Sequence, residues 1–164
     1  MEMRLYHESN TVMPVMLALI LAIVFIGLTI FLFYELAIED VSLTSTEGIA
    51  VMASMALTLG ITAIVSVIRI RVTVTYKDLR VGVFKGRQIL MTDIASVEVE
   101  DFKALKDYFG WGIRLGRKGW GYIAAGTSKG LRVNSKDGKS LLISTKRPFE
   151  FENAVKMALR SLEQ

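Results

Sequence analysis

The chain contains no cysteine and a single histidine, His7. Disulfides, thiolate metal sites and a cysteine nucleophile are thereby excluded. One imidazole does not assemble the usual zinc site within one chain. Ser128, Ser135, Ser140 and Ser144 have no histidine in their part of the chain to activate them. Basic residues are almost missing from positions 1–68, where Arg4 stands against six acidic groups, a net −5. Residues 69–164 carry nineteen basic and ten acidic groups, a net +9, so the two parts belong in different surroundings. Charge of either sign is missing altogether from residues 9–34 and 48–68.

These two runs dominate what is there. About 20 apolar residues suffice to cross a bilayer core, and the runs predict spans over about residues 12–34 and 48–68. A hydrophobic content of 52% and a mean hydropathy of +0.43 agree. The flank "MEMRLYHESN" is not a basic leader and no small-residue cleavage site follows, which favours a true span over a signal peptide. The link "ELAIEDVSLTSTE" holds four acidic residues and no basic one, whereas Arg69, Arg71, Lys77 and Arg80 follow the second run. Counting basic residues near span ends places the link outside. Both the N-terminus and residues 69–164 then lie in the cytoplasm, in a multi-pass protein of the cell (inner) membrane. Ala50, Ser54 and Thr58, Ala56 and Gly60, and Ala18 and Ala22 recur at four-residue spacing. Small residues so placed let helices approach closely, and packing within the hairpin is favoured over a dimer face. Neither run has an ionisable group in its middle, which speaks against a transporter or pump.

Past Arg69 the hydrophobic period becomes two. Ile70, Val72, Val74 and Tyr76 alternate with polar residues, and Leu79, Val81 and Val83 do the same, predicting half-buried strands. "RQILM" and "ASVEVEDF" continue the series. "GLRVNS" and "SLLIST" flank "KDGK", a hairpin signal. From Pro148 onward Phe151, Ala154, Val155, Ala158, Leu159 and Leu162 mark one apolar stripe of an amphipathic helix. The chain is thus expected to divide into a tail and two-helix hairpin over residues 1–68 and a mainly-β domain over 69–164. That domain is expected to be a small barrel of about seven strands closed by the C-terminal helix.

The runs "LRVGVFKGRQILMTDIASVEVE" (with Asp93-Ile94 leading into a strand), "GWGIR", "DGKSLLIST" and "RPFEFENAV" resemble prokaryotic pleckstrin-homology-like (bacterial PH) domain proteins. The likeness covers roughly Ile70 to Leu162 and implies the PH-like fold, with little functional specificity. Eukaryotic lipid-binding PH domains hold phosphoinositides with basic residues on a long first hairpin loop. Here that turn is only Lys77-Asp78, so the headgroup cradle is not carried over.

The run "YFGWGIRLGRKGWGYIAAG" is the candidate site. Its glycines do not meet G-x-G-x-x-G, no G-K-[ST] follows, and it opens no helix, which excludes a nucleotide loop. It predicts two bent strands around the basic turn "GRKG", with glycines marking bends or close backbone approach. Trp111, Arg114, Arg117, Lys118 and Trp120 are its candidate binding residues. Stacking rings beside cations suit single-stranded nucleic acid. Topology and an anionic lipid surface explain the charge better, so no nucleic-acid partner is expected. Core packing is the favoured role of the tryptophans, and contact with the membrane interface is the other. Glu98 and Glu100 are accounted for by strand alternation. No catalytic, metal or cofactor site emerges. The expected function is a non-catalytic, membrane-tethered scaffold module that binds a protein or a second copy of itself. The alternatives are a sensor of anionic lipid headgroups through the basic turn and an accessory subunit of a membrane transport or enzyme complex.

Overall fold

A computed structural model describes residues 3–38, 44–84 and 86–162. The chain forms two compact units, one over Met13–Val67 and the other from the segments on either side of it.

The inner unit is helical, with α1 at Val15–Ile38 and α2 at Thr46–Val67. Met16–Glu35 and Gly48–Val67 have mean hydropathies of 3.0 and 2.1, and both helices are long and apolar enough to cross a membrane. Half-buried positions recur three and four apart, at Ala18, Leu21, Phe25, Leu28 and Leu32 on α1 and at Val51, Met55, Thr58, Thr62 and Val65 on α2. Such spacing is the seam of a packed helix pair. Of the small residues expected on it, only Ala18 and Thr58 are there; Ala22, Ala50, Ser54, Ala56 and Gly60 are exposed. The bulkier side chains of the seam fill the helix–helix contact instead. The hydroxyls of Ser54, Thr58, Thr62 and Ser66 each donate to the carbonyl four residues back, at 2.7–2.9 Å. Each is thereby satisfied within its own helix, as an apolar solvent requires.

The other unit is mainly β and begins where the sequence pattern indicates only a tail. Strand β1 (Arg4–Thr11) pairs antiparallel with β2 (Arg69–Thr75), with His7 opposite Thr73 and Thr11 opposite Arg69. With β3 (Asp78–Gly82) and β4 (Arg87–Leu90) they form an antiparallel sheet in the order β1-β2-β3-β4. A second sheet is built from β5 (Ile94–Asp101), β6 (Gly112–Gly116), β7 (Gly119–Ile123), β8 (Lys129–Ser135) and β9 (Ser140–Ser144). Its order is β5-β8-β9-β7-β6, with β7 and β9 parallel. Helix α3 (Ala104–Tyr108) lies between β5 and β6, and α4 (Pro148–Arg160) ends the unit. The expected closed barrel of about seven strands is therefore replaced by two open sheets, with nine strands among the described residues.

One cluster of buried side chains joins both sheets and α4. Ile70, Val72, Val74, Leu79 and Val81 come from the first sheet, and Tyr122, Leu131, Val133, Leu141 and Ile143 from the second. Phe151, Ala154, Val155 and Ala158 come from α4. The period-two and helical stripes are thus the inward faces, except that Tyr76, just past β2, and Leu162 stay exposed. Each large apolar side chain so buried contributes about 1.5–3 kcal/mol. Phe151 stacks on Tyr6 of β1, centroids 4.9 Å apart.

Strand β1 crosses the ends of the second sheet in a definite direction. Glu8 accepts from the Lys146 amide at 3.0 Å, just past β9. The Thr11 carbonyl accepts from the Ala125 amide at 2.9 Å, just past β7. A side chain on Gly112, at the start of β6, would meet Val12 at 3.6 Å. From Glu8 to Val12 the strand thus advances over β9, β7 and β6, toward the β6 edge.

Candidate functional site

The glycine- and tryptophan-rich run forms the β6–β7 hairpin. Gly116 pairs with Gly119, Leu115 with Trp120 and Ile113 with Tyr122, so Arg117 and Lys118 make the turn. Two strands about a basic turn are what the spacing predicts. Residues opposite one another share a face. Ile113, Leu115 and Trp120 therefore lie on the core side with Tyr122, yet they are 47%, 61% and 48% exposed.

The other face explains two of the glycines. Tyr108, at the end of α3, sets the Cδ1–Cε1 side of its ring against the hairpin. A Cβ on Gly116 or Gly121 would come within 2.6 Å of its ring carbons. These glycines serve close approach by an aromatic ring rather than a barrel corner. Around Tyr108 a second buried cluster gathers Phe102, Ile123 and Leu142, with Trp111 packed on it. The two tryptophans therefore part company, Trp111 in packing and Trp120 at the surface.

Beneath Tyr108 lies an ionic cluster centred on Arg132 of β8, which is 5% exposed. Its Nε donates to Glu100 of β5, Nη2 to the Tyr108 hydroxyl at 2.9 Å, and Nη1 to the Lys118 carbonyl at 3.0 Å and Ser140 Oγ at 3.1 Å. Lys118 Nζ donates to the other Glu100 oxygen at 2.6 Å. Burial alone would raise the Glu100 carboxyl, but Arg132 and Lys118 outweigh it and hold it below its ordinary value. Burial would likewise lower the Arg132 guanidinium, and its bonds to Glu100 and Tyr108 raise it instead. Glu100 thus departs from the exposed position that alternation assigns it, because α3 and the hairpin turn cover that part of the sheet. A cleft of about 410 Å³ opens beside the cluster, bordered by Asp107, Arg117 and Lys118.

The sequence candidates thus separate. Trp111 and Lys118 are engaged within the fold, and Arg114 Nε donates to the Trp111 carbonyl at 2.8 Å. Arg117 is exposed and has no ion pair among the described residues. Trp120 and Arg117 remain outward.

A second polar cluster was not indicated by the sequence pattern. The Glu8 carboxylate, 7% exposed, accepts from Tyr6, Thr145, Asn10 Nδ2 at 2.8 Å and the Lys146 amide. Burial would raise this carboxyl, but the four hydrogen bonds hold it below its ordinary value. Burial and the bond to Glu8 push the Tyr6 phenol up. Arg147 stacks 5.1 Å over the Tyr6 ring. Every group here is spent joining β1 to the β9–α4 corner. His7 is hydrogen-bonded to Thr73 at 3.0 Å. Among the described residues no three His, Asp or Glu side chains are grouped to hold a metal. Comparison with known family models, with curated proteins and with solved structures finds no match.

Proposed function

We propose that the protein is a membrane-tethered binding module of PH-like build, without catalysis of its own, holding a partner protein or a second copy of itself at the inner membrane surface. The pairing of β1 with β2 carries this reading. β1 leads into α1 through residues 12–14, and α2 leads into β2 through Ile68. The Val12 amide donates to the Ile68 carbonyl at 3.2 Å. Strands paired at these points stand on one side of a bilayer, so helices between them cross it an even number of times. The β unit is then moored at two adjacent points, and each link spans at most about 10 Å. The basic residues from Arg69 onward favour the cytoplasmic side. Two sheets sharing a core with a C-terminal helix support the PH-like reading.

The binding mode follows from the sheet order. β5 is an eight-residue edge strand of the second sheet, and an edge of that length offers unpaired backbone groups to an added strand. A photo-crosslinking side chain in place of the exposed Glu98, expressed in intact membranes, should yield a discrete product with another protein or a second copy. Adducts to lipid alone, or none, would refute the scaffold role. A reporter fused after Gln164 should read as cytoplasmic, and an external readout would refute the orientation.

A further inference from the structure

We propose that the β6 edge and the β3–β4 turn form a lipid-contacting rim, with Trp120, Leu115, Ile113 and Phe84 entering the interfacial layer of the membrane. This rests on the reading that α1 and α2 span the bilayer. Three independent placements converge on it. First, β1 advances over β9, β7 and then β6 as it approaches the link to α1, so β6 is the strand of its sheet on the side where the chain leaves for the helices. Second, the exposed apolar side chains of the hairpin, Ile113, Leu115 and Trp120, share one face at that edge.

Third, the register of the first sheet carries Phe84 to the same side. Thr11 lies opposite Arg69, and Arg71 opposite Gly82. The turn after Gly82 therefore projects from the sheet end at which β1 stops and β2 starts. Phe84, two residues beyond Gly82, is level with Arg69 and 90% exposed. The exposed apolar side chains that share one face of the hairpin form the kind of patch that marks a contact site, and Phe84 adds an aromatic ring on the same side. Large aromatics suit the interfacial depth, particularly tryptophan. The charge has the matching sign. Arg69, where β2 begins beside the link to α2, is exposed and would meet anionic headgroups. The occupant is thus an anionic lipid surface, already brought to this edge by the two short links.

The test uses the full chain in vesicles of phosphatidylcholine and phosphatidylglycerol. Trp111→Phe leaves Trp120 as the only indole. Lipids brominated near the top of the acyl chain should quench most of its emission. The same should hold for Phe84→Trp in a chain with both native tryptophans changed to Phe. If the chain survives alkaline carbonate extraction but neither indole is quenched, the rim is overturned and the tether stands. An indole shielded from iodide yet unquenched by lipid points to a protein cover and also overturns the rim. Extraction of the chain by carbonate overturns both readings.

Discussion

Replacing Gly121 by alanine tests the close approach of Tyr108 to the β6–β7 hairpin. The added Cβ would stand 2.6 and 2.8 Å from two Tyr108 ring carbons and 2.9 Å from Ile123 Cδ1. Carbon atoms pack at about 3.5–4.0 Å, so the ring must retreat by about 1 Å. It has little room, being 2% exposed and set edge-on to Phe102. Retreat also stretches the 2.9 Å bond from Arg132 to its hydroxyl. Overpacking costs about 1–3 kcal/mol, and part of a charged hydrogen bond worth about 1.5–3 kcal/mol is lost with it. A total of about 2–3 kcal/mol lowers the melting temperature of a unit this size by about 10–20 °C. Both tryptophans of the chain lie in the β unit, so their emission reports its unfolding in detergent without signal from α1 or α2. In a Tyr108→Ala background the same alanine should cost clearly less, because the ring contact is gone and only the movable Ile123 Cδ1 remains in its way. An unchanged melting temperature in the single variant, or an equal loss with and without the ring, would refute the account.

Glu8→Ala removes the acceptor of Asn10 Nδ2 and the Lys146 amide at the joint between β1 and β9, while the Tyr6 and Thr145 hydroxyls, 3.0 Å apart, can still bond each other. The variant should cost about 2–4 kcal/mol in denaturant titrations; a loss below about 1 kcal/mol would contradict it. The carboxyls of Glu8, Asp78 and Glu100 are all held below their ordinary values, so the stability they confer is present above their unfolded pKa values. That stability is lost as pH falls through the folded ones. Melting temperature should therefore decline below about pH 4, and Glu8→Gln should make the decline shallower; a rise in stability on acidification would contradict the sign. Arg132→Met strands the Tyr108 hydroxyl and one Glu100 oxygen and should destabilise by about 3 kcal/mol, with part recovered by adding Glu100→Leu. Full additivity of the two would show that they do not act as a pair.

The readable parts of the fold were those with a single solvent-facing pattern. Uncharged runs announced α1 and α2, alternation announced β2, β3 and β5, and the hairpin signal at Asp137-Gly138 announced β8 and β9. β1 was not readable, because its inward face is Tyr6, Glu8 and Asn10. The polar atoms of Glu8 are satisfied by Thr145 and Lys146, more than 130 positions away. Local pattern treats such residues as exposed. Arg132 was hidden for the same reason, since alternation puts its side chain outward and only α3 and the hairpin turn cover it. At five residues α3 is too short to show a helical period. The two-strand hairpin with a basic turn was legible, but the reason for Gly116 and Gly121 was not, as it lies in the ring of Tyr108.

The bond between Val12 and Ile68 also bears on how the gene could be shortened. Residues 13–67 occupy the position of a β-turn: β1 and β2 are the two arms of one hairpin, and the apolar helices are an insertion at its tip. A chain cut before Arg69 discards an edge strand and exposes β2 along its length. Joining Val12 to Ile68 through Asn-Gly instead supplies the two-residue connection that antiparallel arms favour. The loop closed by β1–β2 pairing, in which His7 meets Thr73, then shrinks to a local contact with a smaller closure entropy. The excised form should fold as a water-soluble unit with β1 in place.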